Sequence, residues 1–415
     1  MRSRRMLCRK QCIFLIVVLP LLIVPAVLII KHSDGHIDEI FIPPKRLPNS
    51  QGTYIGPVVQ YEHVNLTGVQ KIVRPIDAPK ARPAKCYDYV WSGNCRDTCY
   101  SFNILVRKKQ RKQIVLKCEK SKTQLKTVYT PKQKMVHKVD FKDSCLQKVT
   151  EWYCRDKLSV PNIVHYVWFG KWEFQFIHFL SFLSAFKVQK PCLIMVHADK
   201  LPTGNLWNYF LQICQKVVHV KRKQPKTVMD KKLTFIEHKA DVAKLEALKE
   251  YGGIYLDTDQ VLLKPLEMFR SYDVTIGLDN GGQVANSIIL AKKNAAFINL
   301  WLEEYRTFTK NDGNKHSQII PFTLAQKFPH LVKIVGDELS APNAYKILDL
   351  YARNFDWTRQ YGMHMHLKLR QKSFGKEKFD MDTVKTMNTT AGAVARYILY
   401  GNTDLCTPPK GYIRH

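Results

Sequence analysis

A chain of 415 residues has room for two or three folded units. Its 45% hydrophobic and 24% charged residues exclude wholesale disorder, a collagen-like fibre and a multi-span membrane protein. The 65 Lys+Arg against 35 Asp+Glu leave a net charge of +30, which suits nucleic acid, an anionic membrane surface or an acidic substrate, so the compartment has to decide between them.

The first predicted element is an unbroken apolar run of 18 residues, Ile13 to Ile30, with Arg2, Arg4, Arg5, Arg9 and Lys10 before it and Lys31 after it. As a helix it would span roughly 27 Å, close to a thin early-secretory bilayer. A cleaved signal peptide competes, but Leu28-Ile29-Ile30-Lys31-His32 offers no small-x-small cleavage site. The expectation is a signal anchor at 13–30 behind a cytoplasmic tail at 1–12, with everything beyond residue 31 lumenal or extracellular. Two N-glycosylation sequons, at Asn65 and Asn388, agree with that placement. Nucleic acid is then excluded as a partner, because the chain lies on the wrong side of a membrane.

Seven prolines fall between Pro43 and Pro83, out of 20 in the chain, and the apolar residues there keep no period. Residues 31–85 therefore read as an extended, semi-rigid stem. Residues 86–158 read as a basic module. It holds six of the eleven cysteines: Cys86, Cys95, Cys99, Cys118, Cys145 and Cys154. An even cluster in an oxidising compartment implies a disulfide framework, and the lack of C-x2-C spacing disfavours zinc. Cys192, Cys214 and Cys406 remain for other pairings, and Cys8 and Cys12 sit before the apolar run. Asn103–Val106 and Gln113–Leu116 look like strands flanking Arg107-Lys108-Lys109-Gln110-Arg111-Lys112. That run is either a solvated hairpin tip or a site for an anionic glycan or lipid headgroup.

From residue 159 to 415 short apolar strands alternate with helix-length segments. Strands are expected at 162–169, 192–197, 217–220, 253–256, 274–278 and 287–291. Helices are expected at 172–186, 204–215, 238–251, 294–308 and 319–328, the third with Val242, Leu245 and Leu248 on one stripe. This implies βαβ units, an α/β fold with a mostly parallel Rossmann-like sheet flanked by helices, and ligands at the carboxyl ends of its strands.

Tyr251-Gly252-Gly253-Ile254-Tyr255-Leu256-Asp257-Thr258-Asp259 carries the chemistry. A helix ends, two glycines reverse the chain, and a buried strand delivers two acids. Residues i and i+2 share a face in extended chain, so both carboxylates can address one hard divalent ion, Mn²⁺ or Mg²⁺. Such an ion neutralises a leaving diphosphate. A second D-x-D, Asp380-Met381-Asp382, lacks the strand and the glycine turn and reads as an ordinary turn.

With His238 to Lys244 before it, this segment resembles the D-x-D sugar-binding region of glycosyltransferase family 32. That family includes animal α-1,4-galactosyltransferases and α-1,4-N-acetylglucosaminyltransferases and the yeast initiating α-1,6-mannosyltransferase. Pro161-Asn162-Ile163-Val164-His165-Tyr166-Val167-Trp168 is similar to the family's opening strand. Asn286-Ser287-Ile288-Ile289, Asn294 to Phe297, Trp301 and His316-Ser317 match further on, so that the resemblance runs from about 160 to 335. It implies a GT-A fold, a divalent metal, a nucleotide-sugar donor (UDP-linked in the first instance) and a glycan or glycolipid acceptor. It also implies transfer of a hexose or N-acetylhexosamine with retention of configuration by a Golgi type II enzyme. By the same resemblance Asp257 and Asp259 hold the metal and diphosphate, Trp168 stacks on the nucleobase, and Asp241 binds donor hydroxyls. Asn286 and His316 approach the donor. Where the family usually has Ser-Asp-x-x-Arg, this chain has Ala240-Asp241-Val242-Ala243-Lys244. Lys244 keeps the charge that steadies the diphosphate without the bidentate fork. The alternative is a non-catalytic, membrane-tethered glycan binder on a degenerate transferase fold, using the basic module.

Overall fold

The computed structural model describes residues 27–31, 37–41, 127–129, 135–279, 283–375 and 377–406. The chain divides into two units, Met1–Thr67 and Gly68–His415. In the first, β1 (Val27–Lys31) pairs antiparallel with β2 (Ile37–Phe41). The end of the apolar run expected as an anchor helix, Val27 to Ile30, is thus extended instead. Val27, Ile29 and Ile30 are β-branched, which favours extended chain. Residues 13–26 of that run lie outside the described residues. So do the proline-rich stretch, Asn65, the basic run 107–112 with its expected strands, and Cys86, Cys95, Cys99 and Cys118. Among the described residues no helix is long and apolar enough to cross a membrane.

The second unit is built on a nine-stranded sheet. Its strands are β3 (Thr127–Tyr129), β4 (Met135–Asp140), β5 (Ile163–Trp168), β6 (Leu193–Ala198), β7 (Val217–Lys221), β10 (Gly253–Leu256), β12 (Val274–Leu278), β13 (Val284–Ala291) and β14 (Lys333–Val335). They lie in the order β14-β12-β13-β10-β5-β6-β7-β4-β3. The pairs β14/β12, β10/β5, β5/β6, β6/β7 and β7/β4 are parallel and the other three antiparallel. The expected α/β fold with a mostly parallel sheet is therefore present. Two small pairings flank it: β8 (Thr227–Val228) with β9 (Lys231–Lys232), and β11 (Gln260–Leu262) with β15 (Gly362–His364).

β5, β6 and β10 are buried along their whole length, as strands covered by helices on both faces must be. Their side chains alternate. Val164, Tyr166 and Trp168 of β5 and Ile194, Val196 and Ala198 of β6 pack with α2 (Phe176–Ser184), α3 (Asn205–Ile213) and α9 (Thr390–Tyr400). On the other face Val167 and Tyr255 pack with α4 (Ile236–Tyr251), α5 (Ala296–Glu303) and α6 (Ile320–Lys327). The expected stripe of α4 is there: Val242, Leu245 and Leu248 are fully buried, each contributing roughly 1.5–3 kcal/mol relative to exposure. Four of the five expected helices are shorter than drawn from sequence, while α4 begins two residues earlier, at Ile236. α2 passes into a π-helical turn, Ala185–Gln189, which Lys190 ends in the left-handed region at φ 51°. The helix expected at 294–308 is α5 followed by a 3-10 turn, Glu304–Thr307. α7 (Ile347–Tyr351) and α8 (Leu367–Phe374) complete the helices used below.

The boundary expected at residue 158 does not separate two bodies. β4 continues the sheet by pairing in parallel with β7, and α1 (Ser144–Tyr153) packs on the same face as Ile163, Leu193 and Met195. The cysteines follow suit. Cys154, just past the end of α1, is bonded to Cys192, just before β6, with Cα atoms 5.4 Å apart. The six early cysteines thus do not close among themselves, because the segment bearing Cys154 is part of the sheet's own packing. Cys145 and Cys406 are also disulfide-bonded, and Cys214 is buried.

Candidate active site

The strand that carries the two acids is fixed from behind by its glycines. Gly252 caps α4 at φ 64° and Gly253 opens β10 at φ 120°, both in the region that disfavours side chains. A Cβ on Gly253 would lie 2.6 Å from the Ile163 carbonyl oxygen and 2.7 Å from His165 Nε2. His165 uses that Nε2 to donate to the Gly252 carbonyl at 2.7 Å, and its Nδ1 faces His197 Nε2 at 2.9 Å. Since a carbonyl can only accept, His165 Nδ1 is bare and His197 is the donor of that second bond. Burial lowers the His165 pKa to about 4 and that of His197 well below its usual value, so both rings stay neutral.

β10 then delivers Asp257, Thr258 and Asp259 into a tight turn closed by Gln260 N–H to the Asp257 carbonyl at 3.0 Å. The Tyr255 hydroxyl donates to Asp257 Oδ1 at 2.7 Å, and the backbone N–H of Leu367 donates to Asp259 Oδ2 at 2.8 Å. The second acid is also held by a residue from far along the chain. β15 pairs with β11 so that His364 lies opposite Gln260, which sets His364 Nε2 3.2 Å from Asp259 Oδ1. Ligand atoms of Asp257, Asp259 and His364 all lie within 4.8 Å of one another. Two carboxylate oxygens and one imidazole nitrogen, half-buried and convergent, fit a divalent ion such as Mn²⁺ or Mg²⁺.

The electrostatics of the three groups differ. Burial raises the pKa of Asp257, an effect that Lys244 and His364 oppose. Burial would also raise Asp259, but His364 and the Leu367 N–H outweigh it and hold this carboxyl well below the usual range. Burial pushes the His364 imidazole down, and Asp259 more than compensates, so that its pKa is raised. This last residue escaped the sequence reading. It lies beyond the region of resemblance, and only the β11/β15 pairing brings it to Asp259 across some hundred residues. The signal available was His364-Met365-His366, an alternation that puts two imidazoles two residues apart, as metal ligands often are.

The acids lie on the floor of a cavity of ≈ 720 Å³ at the carboxyl ends of the strands. One wall follows β5: Trp168, Phe169, Trp172 and His178. The lining also takes in His364, His366 to Leu369 and, at the start of α4, Ile236 and Glu237. The lining combines apolar and aromatic side chains with acids and imidazoles, a mixture that suits a flat base joined to an anionic group. Trp168 does line this cavity, but it is 5% exposed with its ring packed on Phe174 and His178. Trp172 is 62% exposed, and its indole N–H is anchored to the Phe169 carbonyl at 2.9 Å.

The other residues singled out from sequence lie elsewhere. Lys244 is buried at the back of β10, does not line the cavity, and pairs with Asp241 Oδ1 at 2.7 Å. It also donates to the Asn286 carbonyl at 3.4 Å and lies 5.1 Å from the Tyr255 ring centre. A position on the inner face of α4 aims its chain at the sheet, so its charge reaches the site through Asp257 rather than by direct contact with a ligand. Asn286 spends its side-chain amide on the Ser317 carbonyl at 3.0 Å, and its neighbours Gly281 and Gly282 lie outside the described residues. His316 is not on the cavity wall. Its ring packs against Tyr305 and Phe308, and Nε2 bonds Thr307 and the Glu304 carbonyl, so it serves as a packing histidine at the π-helical start of α6. Asp380 caps a turn by accepting from the N–H groups of Asp382 and Thr383, as expected for the second D-x-D. Asn388 is exposed, just before α9.

Residues 189–276 match the family model described as "Glycosyltransferase sugar-binding region containing DXD motif", and Asp257 and Asp259 lie inside the match. A glucan organizing enzyme 1 of Cryptococcus neoformans var. grubii is 32% identical over 198 residues, covering 43% of this chain and 53% of that protein. The chain thus spans about half the length of that relative. Among solved structures, PaToxG glycosyltransferase is 18% identical with a TM-score of 0.32, covering 59% of this chain and 86% of that one. The apo-form glycosyltransferase GlyE of Streptococcus pneumoniae TIGR4 is 12% identical with a TM-score of 0.30, covering 43% and 46%. The chain carries a glycosyltransferase sugar-binding region with its D-x-D motif on the floor of a cavity.

Proposed function

We propose that this chain, with its glycosyltransferase sugar-binding region, transfers a hexose or N-acetylhexosamine from a nucleotide sugar, UDP-linked in the first instance, to a glycan or glycolipid. The observation that carries the reading is the convergence of Asp257, Asp259 and His364 in a cavity that aromatic side chains also line. These three residues would hold a divalent cation, Mn²⁺ or Mg²⁺, which when bound neutralises charge on the departing diphosphate. Around it, the chain's own groups keep the ligands in place. Tyr255 orients Asp257, the Leu367 N–H orients Asp259, and the buried Lys244–Asp241 pair adds a positive field behind Asp257. Trp168 and Trp172 offer the aromatic surface on which a nucleobase rests.

In this reading the acceptor hydroxyl attacks from the face the diphosphate leaves, and the leaving phosphate oxygen takes its proton, so configuration is retained. The GT-A fold, the Golgi lumen and a type II membrane anchor belong to the same proposal. They rest on the family-32 resemblance, the sequons and the basic-flanked apolar run. The test is a screen of the full chain against UDP- and GDP-sugars with and without Mn²⁺, read as transfer or donor hydrolysis. Turnover should require Mn²⁺ or Mg²⁺ and fall at least a thousandfold in the Asp257→Asn, Asp259→Asn double variant, with its cooperative melt preserved. Unchanged turnover in that variant sinks the proposal, and glycan binding with no nucleotide-sugar affinity points to the non-catalytic alternative.

A further inference from the structure

His178 holds a hydrogen-bond donor that the fold has oriented and left without an acceptor. It sits in the first turn of α2, where the backbone N–H of Gln175 donates to its Nδ1 at 3.0 Å. A backbone N–H can only donate, so Nδ1 carries no proton and the neutral ring has its hydrogen on Nε2. The ring cannot turn over without losing that helix cap. It is also wedged edge-on against Trp168, with centroids 4.9 Å apart, and lies 5.6 Å from the Phe174 ring. The residue is only 7% exposed, and it lines the cavity with Asp257 and Asp259. Among the described residues none accepts from Nε2. Trp168 and Phe174 pack against the ring, and the open side of this N–H is the cavity, where a ligand oxygen can reach it.

We propose that His178 Nε2–H is a substrate-binding donor that takes an oxygen of the nucleotide sugar's diphosphate. The inference rests on the transferase reading above and adds to it a residue from α2, outside the D-x-D segment. The geometry suits a fixed donor rather than a proton shuttle, because the cap occupies the second nitrogen. It also accounts for a histidine at the third position of the helix, where Glu or Gln would close the same capping box.

Two substitutions separate the ring's two nitrogens. His178→Asn keeps an acceptor near Nδ1 and removes the Nε2 donor. His178→Gln keeps an N–H near Nε2 and weakens the cap. UDP binding to the full chain is measured by calorimetry with Mn²⁺, GDP in parallel. His178→Asn should raise Kd at least tenfold with its melting temperature unchanged, while His178→Gln stays within threefold of wild type. An Asn variant within twofold of wild type overturns the proposal, as does a Gln variant that loses as much as the Asn variant. A second measurement does not depend on either variant's folding. In wild type labelled with ¹⁵N-histidine, the Nε2 signal that vanishes in His178→Asn should move on addition of UDP and diamagnetic Mg²⁺. A signal that stays in place counts against the assignment even where UDP binds. Wild type that binds neither UDP nor GDP removes the transferase reading itself, and this inference with it.

Discussion

At the scale of single residues the site depends on positions that carry no reactive group. Gly253 is the sharpest case, because an added methyl meets a backbone oxygen and His165 at a φ that side chains rarely adopt. Gly253→Ala should cost on the order of 3 kcal/mol or more in urea unfolding. A loss under about 0.5 kcal/mol would falsify the claim that this turn is sterically fixed. His364 makes a different prediction. His364→Ala removes one of three ligands and the partner that keeps Asp259 ionised, so Mn²⁺ affinity by titration calorimetry should weaken at least tenfold. Affinity unchanged in that variant means the ion, if bound, uses other ligands. Asp257 and Asp259 were legible in the sequence because a glycine turn, a four-residue buried strand and an i, i+2 spacing are all local features. His364 and His178 were not, because what places them is a strand pairing a hundred residues away and a tautomer set by one backbone N–H. Lys244 and His316 show the converse. Each has the right chemistry and stands near the right motif, but helix phase turns one into the sheet and aromatic packing claims the other.

At the scale of elements, the strands were read from sequence more closely than the helices. Val274–Leu278 and Gly253–Leu256 run between the residues expected of them, since apolar runs bounded by polar turns leave little room for slippage. A π-helical turn follows α2 and another precedes α6, and periodicity announces neither. The π turn after α2 has its own signature. Lys187 is 4% exposed, and its Nζ donates to the carbonyls of Ile398 and Leu399 in the last turn of α9, at 2.8 and 3.2 Å. Burial lowers its pKa to about 7. Between pH 7 and its unfolded value near 10.5 the unfolded chain therefore binds a proton that the folded chain does not. Stability then rises with pH across that window, by up to about 1.4 kcal/mol per unit, and the contribution is lost as pH falls toward 7. Lys187→Met should flatten this slope in unfolding experiments at pH 7 and 9. Equal slopes for the two proteins would show that Lys187 stays charged in the fold.

At the scale of the whole molecule, the Cys154–Cys192 bond closes a loop with a sequence separation of 38. Trp168, Trp172 and His178 all lie within that loop, so the bond encloses one wall of the cavity. Replacing both cysteines with alanine should cost about 4 kcal/mol by loop entropy and lower the melting temperature by roughly 5–10 °C. Reductant should lower the wild-type melting temperature by at least as much, since it also opens the bonds of Cys145 and Cys406; equal melting of oxidised and reduced wild type argues against the bond. The α/β class of this unit was legible because alternating strands and helices leave few other arrangements. Its true extent was not, since the pairing of β4 with β7 joins residues some eighty apart.

The cavity's parts come from three separate stretches of chain. The stretch matching the sugar-binding region, 189–276, supplies Asp257 and Asp259, while the facing walls come from 167–178 and 364–371. Each wall nevertheless brings one histidine to the acids, His178 from the first and His364 from the second. The cavity is therefore a three-way splice rather than a motif with a replaceable rim. A graft of residues 362–371 between two chains of this fold would carry His364 along, and would succeed only where the acids it meets keep the same spacing.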